Sequence, residues 1–317
     1  MDAAMEEARA NERKIPGLLV CAASYCLAAL AAVFLAARLP GNWDLWALTL
    51  AADVLATLVI WGIGLGFRNS SLYDPYWSLA PIAIVGAWTI ATGGPGDAAG
   101  ILLMGVTALW GLRLTWNWIS SWDGLSAQDW RYTMLREKSP RLWFLTNLLG
   151  INLFPTLIVF IGLLPAYRLL GTPPSGTLMG GAGLALVFAG GSVCLGAIML
   201  ESAADAQMRR FRSRAPLGAH IDEGLWSLSR HPNYLGECLF WTGLWILGAA
   251  RSPLDWRGHA LSALCPAAMF ALFLGVSIPM AEKRYLASKP GYAAYRERVP
   301  MLFPRLRPWS KNRTGSA

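Results

Sequence analysis

Charge is scarce in this sequence. Only 15% of its 317 residues are Asp, Glu, Lys or Arg, while 55% are apolar and mean hydropathy is +0.41. A soluble domain of this length does not need that much apolar surface to fill one core. Histidine is rarer still, with three residues, and the five cysteines (Cys21, Cys26, Cys194, Cys238 and Cys265) lie scattered through apolar stretches. Their spacing indicates neither a disulfide framework nor a zinc or redox site, and no metal is expected. No internal repeat and no cleavable leader is evident, because residues 1–14 carry mixed charge and the apolar run behind them is long enough to span a bilayer. The net charge of +8 does not take the form that nucleic acid requires: basic residues fall in the gaps between apolar segments, not along one face with interleaved aromatics.

What is present is a series of long apolar runs. Eight segments are candidates for crossing a membrane, roughly 15–37, 45–67, 76–92, 99–118, 142–166, 177–200, 233–250 and 259–281, the third and seventh being short. Trp43, Trp46, Trp77 and Trp143 stand at ends of these runs, where an amphipathic ring suits the headgroup layer. Placing the amino terminus in the cytoplasm puts 22 of the 27 basic residues on the cytoplasmic side and four opposite, with Arg113 inside the fourth segment, the asymmetry of the positive-inside rule. The expectation is an all-α polytopic integral membrane protein of about 7–8 helices, inner-membrane if bacterial, with both termini cytoplasmic. It forms a single domain over 1–307, with a front half (15–166), a carboxyl-terminal half (177–307) and a disordered tail at 308–317. The sparse-side loops, Gly93-Gly94-Pro95-Gly96 and Thr172-Pro173-Pro174-Ser175-Gly176, suit tight reversals, so the chemistry should gather in the long polar stretches 119–141, 201–232 and 281–317.

Three patterns there carry chemistry. Arg230-His231-Pro232-Asn233-Tyr234-Leu235-Gly236-Glu237 lies where a basic loop enters the seventh segment. Pro suits the first turn of a helix, and Arg, His, Asn and Tyr at the positive end of its dipole offer donors to phosphate, amide or carbonyl groups. Glu237 shares a helical face with Asn233, and an acid inside a membrane segment is costly enough to imply a task; the plainer alternative is an interfacial anchor. Upstream, Glu201 and Asp205, then Asp205 and Arg209, are spaced i, i+4 and continue to Arg212, so one face carries carboxylates followed by guanidinium groups able to clasp ribose hydroxyls and phosphates. The alternative is a solvated helix with internal ion pairs. Third, Glu282-Lys283-Arg284-Tyr285 precedes Tyr292, Tyr295, Arg296 and Arg298, which composition alone would lay on anionic lipid.

The run RHPNYLGE, preceded by ExxxDxQxxxFR and followed by ExRY…GYxxYRxxVPxxxP, resembles the carboxyl-terminal half of the steroid 5-alpha-reductase superfamily, especially its bacterial members; sterol C14 reductases share the RHPNYxG core. The similarity covers 195–306 and extends more weakly to Asp74-Pro75-Tyr76-Trp77 and Asp129-Trp130-Arg131-Tyr132. It implies a helical bundle whose cytoplasmic half encloses NADPH. Asp205, Arg212, Asn233, Tyr234, Glu237, Arg284, Tyr285 and Tyr295 match places where the family holds this cofactor, and Arg230 and His231 would sit beside its phosphates. The family's Gln-Glu pair that meets the steroid carbonyl has no counterpart in the front half.

The implied reaction is reduction of a carbon–carbon double bond in a lipid or steroid-like (3-oxo-4-ene) substrate. It needs a hydride, a dry pocket and a donor for the developing enolate oxygen. Candidates for the donor are Tyr73, Asp74 and Tyr76, with Asp53 inside the second helix as the remaining buried acid; Asp74 before Pro75 is alternatively a helix cap. The chief rival is an S-adenosylmethionine-dependent membrane methyltransferase of the isoprenylcysteine or phospholipid type, which shares an RHPxYxG segment. A non-enzymatic scaffold or lipid transporter would leave the clustered tyrosines and arginines without a ligand.

Overall fold

The computed structural model describes residues 2–93, 97–171, 180–216, 218–251 and 256–304; the tail expected at 308–317 and most of the two Gly/Pro loops lie outside the described residues. Among the described residues there is no strand. The chain is an all-helical, polytopic membrane protein. Its helices are α1 (Asp2–Arg38), α2 (Leu45–Gly66), α3 (Tyr76–Ala91), α4 (Ala98–Ser121), α5 (Trp130–Lys138), α6 (Pro140–Leu170), α7 (Gly180–Arg212), α8 (Pro232–Ala249), α9 (Arg257–Ser288) and α10 (Tyr292–Arg298). Six of them, α1 from Lys14 onward, α2, α4, α6, α7 and α9, are long and apolar enough to cross a membrane. Outward-facing Leu30, Ile90, Trp116, Phe188 and Met199 are strongly exposed and apolar, as lipid-facing side chains are.

The two remaining apolar helices are the short third and seventh segments. With 16 and 18 residues, α3 and α8 extend about 24 and 27 Å at 1.5 Å per residue, less than the ~30 Å hydrocarbon layer. Half of the residues of α3 are buried, and α8 is largely enclosed by protein, with Phe240, Trp241, Leu244 and Leu247 inaccessible. Their shortness goes with a role inside the protein.

The chain divides into two compact units, Met1–Pro173 and Pro174–Ala317. In the first, α1 packs on α2 and α3 on α4, and α6 contains an eight-residue π-helical stretch, Thr146–Leu153, carrying the buried Asn147 and Asn152. Asn152 donates to the Asn147 carbonyl and side chain at 2.8 and 2.9 Å, satisfying amides that lipid would leave unpaired. In the second unit α7 and α8 run antiparallel and make the most extensive helix contact. Glycine makes this possible: a Cβ on Gly190 would stand 2.7 Å from the Leu247 nitrogen and 2.8 Å from the Gly243 oxygen. A Cβ on Gly236 would overlap Glu201, so this bare backbone lets an acid lie across the first turns of α8.

Candidate functional site

In the first unit the polar groups collect around the turn between α2 and α3, Asn69 to Tyr76. Asn69 caps it by accepting from the Ser71 amide at 2.8 Å, while its own amide donates to the carbonyls of Leu125 and Ala127 at 2.8 and 2.9 Å. The Asp129 amide donates to Ser71 Oγ at 2.9 Å, and Tyr25 of α1 donates to the Leu72 carbonyl at 2.7 Å. A turn tied down from three directions holds its side chains rigidly.

Two acid–tyrosine pairs result. Tyr76 donates to Asp53 Oδ1 at 2.5 Å, both groups being buried, and Tyr132 at the start of α5 donates to Asp74. The cap alternative for Asp74 is not realised, since Pro75 occupies the N-cap of α3 and no side chain caps it. Burial pushes the Asp74 carboxyl up to about 6, against the lowering by Arg131 and the Tyr132 hydroxyl. Tyr73 belongs to a hydroxyl chain, 2.8 Å from Thr156, which stands 2.9 Å from Thr57. The rings of Tyr25 and Tyr73 approach Tyr76 at 6.0 and 5.8 Å. Of the four front-half candidates, Asp53, Tyr76 and Tyr73 therefore form one cluster, and Asp74 turns to Tyr132.

In the second unit the entrance to α8 is built around Glu282, near the end of α9. Its Oε1 accepts from Arg230 Nε at 2.7 Å and lies 3.1 Å from His231 Nε2, while Oε2 is 3.3 Å from Arg296 Nε. Arg230 also donates to the carbonyls of Arg296 and Val299 at 2.7 and 2.6 Å, and its amide to Pro300 at 2.9 Å. Arg230 is thus a buried fastener that holds the segment after α10 against the start of α8. His231 stacks on Tyr234 with planes 4° apart, and burial depresses its basicity despite the opposing pull of Glu282. Tyr295 is equally internal: its hydroxyl donates to the Trp226 carbonyl at 2.6 Å, and Trp226 Nε1 donates to the Ala204 carbonyl at 3.1 Å. Residues 204, 226 and 295 are thereby tied in sequence.

Groups able to meet a ligand stand around this frame. Asn233 and Tyr234, in the first turn of α8, and Asp205 and Tyr285 are half-buried; Arg212 and Arg284 are exposed. Lys289 holds its ammonium 4.2 Å from the centre of the Tyr285 ring. Its basicity is lowered by burial and by the charges of Arg212 and Arg284, so three cations share one neighbourhood. Glu201 and Glu237 are both buried, 1% and 5% exposed, which sets aside the solvated-helix alternative for Glu201. Sequence reasoning gave no site role to Glu282, Lys289, Tyr132, Thr57 or Thr156. The signals available were, for Glu282, its place at the head of the third pattern and, for Tyr132, the weaker resemblance over Asp129–Tyr132; nothing in the spacing marks Lys289, Thr57 or Thr156.

A family model described as a protein of unknown function (DUF1295) matches residues 60–299. An uncharacterized protein of Schizosaccharomyces pombe is 26% identical over 273 residues, covering 78% of this chain and 76% of that protein. No solved structure matches. The matched span takes in the front-half turn with Tyr73, Asp74 and Tyr76 and the polar side chains described around the entrance to α8, and the chain belongs to the DUF1295 family.

Proposed function

We propose that this protein is an NADPH-dependent reductase of a carbon–carbon double bond in a hydrophobic lipid or steroid-like substrate, placed in the membrane with both termini cytoplasmic. The observation that carries the reading is the Asp53–Tyr76 pair, two buried oxygens 2.5 Å apart within apolar helices. Such a pair holds a proton where water is excluded, which is what an enone oxygen needs as it becomes an enolate oxygen. Transfer of a methyl group from a sulfonium needs no such donor.

The second unit offers groups that suit the cofactor. Arg212, Arg284 and Lys289 together provide the positive potential that phosphates and a 2′-phosphate require. The Asp205 carboxylate can accept from ribose hydroxyls, while Asn233 and Tyr234 present an amide and a ring at the positive end of α8. Glu282 acts through Arg230 and His231 by fixing where that helix begins, which makes it a positioning residue. When bound, NADPH supplies the hydride; Tyr76 and Asp53 hold the proton and Tyr73 fixes the ring of Tyr76 from the side. Resemblance to the steroid 5-alpha-reductase superfamily supports the same assignment.

Purified protein in detergent should shift NADPH fluorescence, and Arg212→Ala or Asn233→Ala should weaken the binding. Binding of S-adenosylmethionine with no response to NADPH would overturn the proposal and favour the methyltransferase.

A further inference from the structure

One cavity of the second unit plays no part in that chemistry. It is a groove of about 540 Å³ beside the end of α9, bordered by Ile278, Glu282, Lys283, Leu286, Arg296 and Met301. Lys283 and Leu286, three residues apart on one side of α9, both border the groove, and Arg284 does not. None of Arg212, Arg284 and Lys289, the cations assigned to the cofactor, borders the groove.

Its lining has two characters. One end is apolar and lies against a spanning helix: Leu302 packs with Leu235, Cys238 and Ile278, and Phe303 stacks on Phe270 of α9 with centroids 6.4 Å apart. The segment after α10 thus returns along α9 and leaves Met301 and Phe303 exposed there, 37% and 64%. The other end carries Lys283, which is exposed, and Arg296, whose side chain is 49% exposed while its Nε is 3.3 Å from Glu282. Glu282 is the one acid bordering the groove, and the buried Arg230 already matches its charge, so Lys283 and Arg296 leave the groove net positive. Apolar walls against a spanning helix, with two exposed cations beside them, match an acyl chain joined to a phosphate.

We propose that this groove binds one anionic phospholipid, its phosphate between Lys283 and Arg296 and an acyl chain along Ile278 and Met301. The bound lipid would brace the returning segment that Arg230 and Glu282 fasten from the other side.

The full-length protein is reconstituted into nanodiscs holding equal parts phosphatidylglycerol and phosphatidylcholine, then released and examined by native mass spectrometry. A basic residue near a headgroup favours an anionic lipid by about a factor of five. Retained phosphatidylglycerol should therefore exceed phosphatidylcholine by about tenfold or more with both residues present. Lys283→Gln, which alters an exposed amine, should lower that preference about fivefold; Lys283→Gln with Arg296→Gln should bring the two lipids to parity, and Arg136→Gln in the other unit should leave the preference intact. Equal retention of both lipids by the unaltered protein, or a preference that survives Lys283→Gln unchanged, would overturn the proposal. Neither result bears on NADPH binding.

Discussion

Removing the Glu282 carboxylate tests whether the entrance to α8 is held as described. Glu282 is 5% exposed and meets Arg230 Nε at 2.7 Å, His231 Nε2 at 3.1 Å and Arg296 Nε at 3.3 Å. Breaking a buried ion pair by deleting one partner costs about 3–5 kcal/mol, because the other charge stays buried. Arg230 keeps two carbonyl acceptors, and the half-exposed Arg296 contributes at most about 1 kcal/mol. Glu282→Ala should therefore cost about 3–4 kcal/mol. Glu282→Gln keeps an acceptor for Arg230 and His231 and should cost about 1–2 kcal/mol. Arg230→Met with Glu282→Leu strands the carbonyls of Arg296 and Val299 but leaves no unpaired charge buried, so it should cost less than the two single changes combined, with a coupling of about 2 kcal/mol. Equilibrium unfolding in detergent, followed by tryptophan fluorescence, measures these proteins together with the component singles Arg230→Met and Glu282→Leu; trypsin cleavage after Arg298 reports separately on release of the segment. An unfolding free energy for Glu282→Ala within about 0.5 kcal/mol of the parent, or strict additivity in the double variant, would refute the reasoning.

Tyr76→Phe should lower turnover of a substrate enone by about 10²–10⁴-fold while leaving NADPH binding unchanged, and loss of both together would point to a structural role. Gly190→Ala should destabilise by about 1–3 kcal/mol, since its new carbon meets the backbone of Leu247 and Gly243, which no rotamer change can move aside; a thermal melt unchanged from the parent would show that α7 and α8 yield there. Asp74 has its pKa raised to about 6 from an ordinary 3.8, so the folded protein binds more protons than the unfolded one between those values. Its contribution is then largest below pH ~4 and is lost as pH rises to ~6. Comparing melts of the parent and Asp74→Asn across that window should show the difference narrowing to a constant above it; a difference independent of pH would remove the assignment.

Membrane residence was legible because hydrocarbon imposes its demands along the chain: a span needs about twenty consecutive apolar residues wherever its neighbours lie. The two segments short by that measure became α3 and α8, and Asn233, Tyr234 and Glu237 explain the second, since polar groups in the opening turns fit a helix enclosed by protein. The Arg230–Glu237 run and the Glu201–Arg212 face were visible for the same local reason, their spacing being that of one helix. Roles within them were not. Arg230 and His231 read as phosphate donors, yet they close on Glu282, fifty residues away, and Tyr295 turns inward to Trp226. In the front half, Asp53 and Asp74 were both legible as costly acids, but which tyrosine each would meet was not.

The sequence by itself determined that this chain is helical and membrane-embedded, and where its polar residues concentrate, because hydropathy and helical period act between near neighbours. Only the tertiary structure decided that Asp53 faces Tyr76, that Asp74 faces Tyr132 and that one carboxylate at the end of α9 fastens the start of α8. Those pairings join residues 23 to 58 positions apart, with Arg230 and Glu282 at 52. At such separations the partner is set by which elements pack together, and no local pattern along the chain encodes that.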